Sequence, residues 1–299
     1  MTTVGTQAQW KSAACLTSFD GYFAALRRLI SCCSCRDVHP AEQLELKQQL
    51  IETDTVQWRL QSDSASDANC HVVRRVAGVD ISFLRGSDEH ACASIVVLDY
   101  PSQALLYEAF VYVALPAPYV PGFLAFREVP ALTKLYDDLR RRRPDLLPDV
   151  TLVDGNGVLH PQGFGLASHF GVLRGIPTIG IGKTFLHVDG LTKCIVKRLM
   201  AEAREDDGTH DVVELTGKSG KVWGAAVCST ADVKNPIYVS IGHMVSLDTA
   251  IAIARACAQH RVPEPIRQAD QRSRAVIRQW TSSNAVDMTL DLFHVHAPY

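Results

Sequence analysis

The chain has 299 residues, 47% of them hydrophobic and 21% charged, and a formal net charge of -2, the profile of an ordinary globular chain rather than a disordered one, and one that argues against a histone-like nucleic-acid binder. No apolar run approaches the roughly 20 residues that cross a bilayer, and the N-terminus lacks the charged-then-apolar layout of a secretory signal. The 9 cysteines are spread along the whole length, a usage that fits reduced thiols in a cytoplasmic or nuclear setting rather than a disulfide framework.

Residues 1–38 read as a weakly structured extension with one amphipathic patch, "FDGYFAALRRLI". Within it, "CCSCRDVH" offers Cys32, Cys33, Cys35 and His39 to zinc, but the spacing is irregular and no second knuckle lies nearby, so a thiol-rich leader is the plainer reading. A helix is expected from Pro40 through "AEQLELKQQLIE", proline suiting a first helical position. "VAGVDISF" alternates, with Ala77, Val79, Ile81 and Phe83 on one side and Val76, Gly78, Asp80 and Ser82 on the other, the period of a strand. "CASIVVLDY" and "ALLYEAFVYVAL" continue it as a three-stranded antiparallel meander.

In "APYVPGFLAFREVP", Tyr119 stands between Pro118 and Pro121 on a stiff turn, and Glu128 follows before a helix expected from Pro130 through "ALTKLYDDLRRRR". "DVTLVDGNG" is a strand, "GFGLASHFGVLRG" a helix closed by Gly175, and "IPTIGIGKTF" a further strand, an alternation that predicts parallel pairing. "KVWGAAVCS" and "PIYVSIGH" read as a pair of strands, "SLDTAIAIARACAQH" as a helix starting at Ser246, and a polar C-terminal region follows. The expected organisation is one α/β domain over 39–275, with residues 276–299 as a tail.

Asp154 ends an apolar strand just before "GNG", where ligands of α/β sheets gather; it reads either as a site residue or as an acid organising a turn. Asp80 sits inside a strand, so a buried carboxylate there needs a partner or a cation. Two acids on neighbouring strands repel, and a hard divalent ion relieves the repulsion. Glu128 is the natural third member, its alternative being an exposed acid in a helix first turn. Lys183 in "GIGKT" ends a strand where a cation can hold phosphate, although the glycine spacing is not that of a Walker loop. His243 in "IGHMVS" fits proton transfer, phosphate contact or a structural histidine.

Taken together, "VAGVDISF", "PYVPGFLAFRE", "LVDGNGVLHPQGFGLASHFGVL", "IGIGKTFL", "YVSIGHMVSLDTA" and "PEPIRQAD" resemble the endonuclease V family, in the family's order, from about residue 72 to 272, with "GNGVLH" and "VDGL" nearer to its animal forms. The resemblance implies a ribonuclease H-like fold, a mixed sheet in which an antiparallel meander meets parallel strands flanked by helices. It implies metal binding by Asp80, Glu128 and Asp154, with Mg²⁺ as the ion and Mn²⁺ as a substitute, and Lys183 and His243 beside the scissile phosphate. Pro118, Tyr119, Val120 and Pro121 then form a wedge that helps extrude a modified base, since unstacking costs a few kcal/mol that a floppy wedge would partly lose. Gly122, Gly155 and Gly157 would let backbone approach that base, Leu124 would stack on it and His160 would close the pocket. The implied activity is cleavage of inosine-containing single-stranded RNA at the second phosphodiester 3′ to the inosine, leaving 3′-hydroxyl and 5′-phosphate. The alternatives are a DNA repair nuclease acting at deoxyinosine and an inosine-binding protein without turnover. The chain departs from the resemblance at Gln162 and Met244, where the family often carries arginine.

Overall fold

In a computed structural model of the chain, the described residues are 35–60, 70–115, 122–207, 211–230, 233, 235–282 and 294–296. Packing divides the chain into two units, Met1–Glu42 and Gln43–Tyr299; the second contains the sheet. Helix α1 (Cys35–Lys47) starts ahead of Pro40, which lies inside it rather than at its first position. A proline forfeits one backbone bond, and here the helix runs through that loss. β1 (Trp58–Arg59) and β2 (His71–Val72) make a small parallel pair.

The alternation around Asp80 produces β3 (Arg75–Phe83), and β4 (His90–Asp99) and β5 (Leu105–Ala114) complete the antiparallel meander. Ala77 and Val79 bury one face of β3 beneath α2 (Leu124–Arg142), against Val129, Leu132 and Leu135. This helix begins six residues ahead of the expected Pro130, so Glu128 belongs to the helix and not to the approaching loop. Ala125, Phe126 and Val129 are buried and hold the first turns in place across the proline.

After a short 3₁₀ turn come β6 (Val150–Asp154), α3 (Leu166–Arg174), β7 (Thr178–Gly182), α4 (Lys193–Asp207), β8 (Val212–Thr216), β9 (Val222–Val227), β10 (Ile237–His243), α5 (Leu247–Ala256), α6 (Glu264–Ser282) and β11 (His294–His296). The nine strands lie in the order β11-β5-β4-β3-β6-β7-β10-β9-β8. β6 runs parallel to both β3 and β7, and every other pairing in this sheet is antiparallel. Gly175 closes α3 in the left-handed conformation, and Ser246 caps α5 by accepting from the Thr249 amide at 3.2 Å. The result is a mixed α/β sheet with helices on both faces.

The polar C-terminal region contains α6, which the sequence reading passed over. Its buried positions Ile266, Ala269, Ser273, Ile277 and Trp280 follow a helical spacing, hidden among Arg267, Arg272, Arg274 and Arg278. This helix packs across β3 and β4. Gly78 permits the contact: a Cβ there would lie 2.1 Å from the Pro265 carbonyl carbon and oxygen. The small-residue face of β3 is thus the seat of a helix, with Asp80 one pleat further along.

Candidate active site

Parallel pairing of β3 with β6 sets Val79 opposite Val153, so the next residues, Asp80 and Asp154, are neighbours on adjacent strands. Asp80 is only 6% exposed. Ser82 Oγ donates to its Oδ2 at 2.9 Å, and Ser273 Oγ, on α6, donates to Ser82 Oγ at 2.9 Å. Burial, a proton shared with the Asp154 carboxylate and the charges of Asp154 and Asp270 push the Asp80 carboxyl well above its ordinary range, against the pull of Lys183.

Lys183 directly follows β7, and its Nζ lies 2.6 Å from Asp154 Oδ2. Burial alone would lower the lysine's pKa, but Asp154, Asp80 and Asp270 together raise it. Its ammonium is therefore the cation these acids share. Glu128 projects from α2, is 7% exposed, and is pushed up to about 8 by burial and then by the Asp154 charge, with Arg127 opposing. Arg127 itself lies 5.1 Å over the Phe83 ring.

Asp80, Glu128 and Asp154 are three carboxyls whose oxygens could serve a hard divalent ion, and two of them, Asp80 and Glu128, are buried and driven toward the neutral form. Among the described residues no three such side chains close on one point as a finished cage. Mg²⁺ does not need one, because it commonly keeps several waters and takes one or two carboxylates directly.

A second group of candidates lies around the loop that follows β6. Gly157 is buried, its amide donating to Ser240 Oγ at 2.9 Å, and a Cβ on it would stand 1.8 Å from the Ile241 carbonyl oxygen. Its glycine is required by a neighbouring strand. Gly155 lies against Leu166, whose side chain would be 3.0 Å from an added Cβ. Gly122 has φ +86 and faces the Gln162 side chain, while Leu124 opens α2 half-buried. His160 is buried and takes the Gln162 amide on Nδ1 at 3.3 Å. Burial, then the Lys47 charge, lower its pKa to about 4.

His243 is not with the acids. β10 runs antiparallel to β7, so His243 pairs with Thr178 at the start of β7, whereas Lys183 follows its last residue. Its Nδ1 accepts the Ile51 amide at 3.2 Å, and burial lowers its pKa to about 4. Two buried histidines that stay neutral give a pH prediction. Each folded pKa is below the unfolded value, so their contribution is complete above about pH 6.5 and is lost as pH falls toward 4, by up to about 3 kcal/mol per histidine. Glu128, raised when folded, works in the opposite direction. Denaturant unfolding of the wild type and of His160→Gln/His243→Gln, compared from pH 7 to pH 4, is expected to show a flatter acid-side fall for the variant; parallel curves would contradict it.

With this arrangement in view, the sequence profile of endonuclease V matches residues 54–271. The chain belongs to the endonuclease V family. Endonuclease V of Mus musculus is 46% identical over 238 residues, covering 80% of this chain and 68% of that protein. The crystal structure of the catalytic domain of human Endonuclease V matches with a TM-score of 0.77 at 43% identity, over 84% of this chain and 99% of that one. Ciona intestinalis Endonuclease V, solved in complex with a 24mer DNA containing an inosine followed by a ribo-adenosine, matches with a TM-score of 0.72 at 34% identity, over 81% of this chain and 97% of that one. Endonuclease V relatives are nucleases, and this chain shares their fold.

Within this endonuclease V chain, Asp270 is the residue that sequence reasoning missed. It lies on α6, its charge acts on both Asp80 and Lys183, and Arg274 Nε holds its Oδ1 at 2.8 Å. The signal was present in "PEPIRQAD", but the acid could not be placed while the helix carrying it was unread. Pro118, Tyr119, Val120 and Pro121, the wedge of the family resemblance, lie outside the described residues. At Gln162, where the family often carries arginine, Lys47 donates to the backbone carbonyl at 2.6 Å and brings a cation to the same place.

Proposed function

We propose that the chain is a Mg²⁺-dependent endonuclease that recognises inosine in single-stranded RNA and hydrolyses the second phosphodiester 3′ to it, leaving 3′-hydroxyl and 5′-phosphate ends. The observation that carries this reading is the convergence of Asp80, Asp154, Asp270 and Lys183 on one end of paired strands. The order of β5, β4, β3, β6 and β7, with acids on β3 and β6, supports a ribonuclease H-like sheet. A Ciona relative in complex with a DNA containing an inosine followed by a ribo-adenosine supports inosine as the base and a ribose beside it.

Asp80, Glu128 and Asp154 would hold the ion. Bound there, it lowers the pKa of water and offsets charge on the phosphoryl oxygens. Lys183 holds Asp154 Oδ2 at 2.6 Å and orients it, and its ammonium would meet a phosphate. Ser82 fixes the Asp80 carboxyl from one side. Tyr119, stiffened by Pro118 and Pro121, would fill the stack that the extruded base leaves. His160, neutral with Nδ1 accepting the Gln162 amide, retains an Nε2 hydrogen that can donate to the 6-oxo group of hypoxanthine, where adenine presents an amine. Gly122, Leu124 and Gly155 would line the approach, whereas the open side of Gly157 is taken by β10.

Matched RNA and DNA oligonucleotides carrying one inosine, with and without Mg²⁺, test the reading. Faster cutting of RNA, dependent on the ion and absent from adenosine controls, is expected. Faster cutting of DNA would overturn the RNA assignment, and inosine binding with no cleavage under any divalent ion would overturn the nuclease assignment.

A further inference from the structure

We infer that Gln43 is a positioning residue for base selection, tying together the two backbone segments on either side of the proposed pocket; this rests on the inosine reading above. Its side chain is 3% exposed. The single amide nitrogen donates to the Phe164 carbonyl at 2.9 Å and toward the Gly122 carbonyl at 3.3 Å, so its two hydrogens go to two different segments, 121 and 79 residues away in sequence. Lys47, one helical turn further along α1, adds the bond to the Gln162 carbonyl at 2.6 Å. The two segments also abut directly, because a Cβ on Gly122 would meet Gln162 Oε1 at 3.1 Å.

The chemistry of the position argues for alignment over bulk. A leucine would fill similar volume at no polar cost, whereas a buried amide must be repaid by its hydrogen bonds. Both acceptors are main-chain carbonyls, so the amide fixes backbone to backbone. Gly122 lies two residues before the start of α2, and Leu124 to Glu128 spans about 6 Å of helical rise. On the other segment, His160 is tied into its own turn by the Gly163 amide donating to the His160 carbonyl at 2.7 Å. A shift between the segments therefore moves the His160 donor relative to Leu124, while Asp80 and Asp154, fixed by strand pairing, stay where they are.

The test is fluorescence anisotropy without divalent ion, using inosine RNA and the matched adenosine RNA, on the full chain and on Gln43→Leu, with thermal unfolding in parallel. Wild type is expected to prefer inosine, and Gln43→Leu to lose about tenfold of that preference, the size of one lost buried hydrogen bond, with adenosine RNA bound as before. Should Gln43→Leu not fold, Gln43→Met carries the same expectation. A preference retained in full, or equal weakening on both strands with a lower melting temperature, overturns the positioning role. Wild type showing no preference for inosine overturns the inosine reading itself and this inference with it.

Discussion

Asp80→Asn is expected to reduce strand cleavage about 1,000-fold or more while leaving the fold at least as stable as the wild type. The two outcomes have one cause. Asp80 is an acid sealed between β3 and α6 beside Asp154 and Asp270, and the folded chain holds its carboxyl well above the ordinary range. A buried like-charge pair costs stability, so removing one charge relieves the fold. Asparagine keeps the geometry, since its oxygen can accept from Ser82 Oγ and its amide can donate to Asp154. What it gives up is an anionic oxygen for a cation. Single-turnover cleavage and denaturant unfolding on the same sample check both halves. Lost stability together with intact cleavage would mark Asp80 as a structural acid.

Gly157→Ala is expected to have the largest stability cost, about 3 kcal/mol or more, and to abolish cleavage as well. An added Cβ would stand 1.8 Å from the Ile241 carbonyl oxygen, 2.6 Å from its carbon and 3.0 Å from the Gly242 amide. All three are backbone atoms of β10, so no rotamer change removes the clash. Retreat is blocked from β7 as well, where a Cβ on Gly180 would already meet the Gly157 nitrogen at 2.3 Å. The loop must therefore leave the sheet, and Asp154 is three residues upstream of the displaced point. Gly155→Ala is the informative comparison: its nearest neighbours are side-chain atoms of Leu166 at 3.0 and 3.1 Å, which can yield. Urea unfolding is expected to place Gly155→Ala well above Gly157→Ala in stability, and a Gly157→Ala cost below about 1 kcal/mol would refute the account of this loop.

The central strands were readable because a period of two leaves a plain record wherever one face differs from the other. Ala77 and Val79 against Gly78 and Asp80 is such a record, and the pairing that sets Asp80 beside Asp154 follows once β3 and β6 are parallel. Helix boundaries were less readable. Prolines at 40 and 130 favour first turns, but the apolar side chains of Ala125, Phe126 and Val129 extend α2 through Pro130. α6 was missed because its apolar stripe, Ile266, Ala269, Ile277 and Trp280, is thin within a strongly charged segment. Asp270 went unnoticed as a consequence of that omission. His243, which the family resemblance sets beside the scissile phosphate, pairs with Thr178 at the start of β7 because β10 runs antiparallel to it, a placement that needs sheet direction to read. The glycines were legible as close approaches, but what approaches Gly157 is strand β10.

Anomalous scattering from Mn²⁺ in crystals grown with an inosine-containing strand tests the shared-cation claim most directly. The account predicts a peak within bonding distance of the Asp80 and Asp154 carboxylates, with Glu128 facing it and Lys183 turned toward phosphate. A peak bound elsewhere, or none at full occupancy of the nucleic acid, would contradict it.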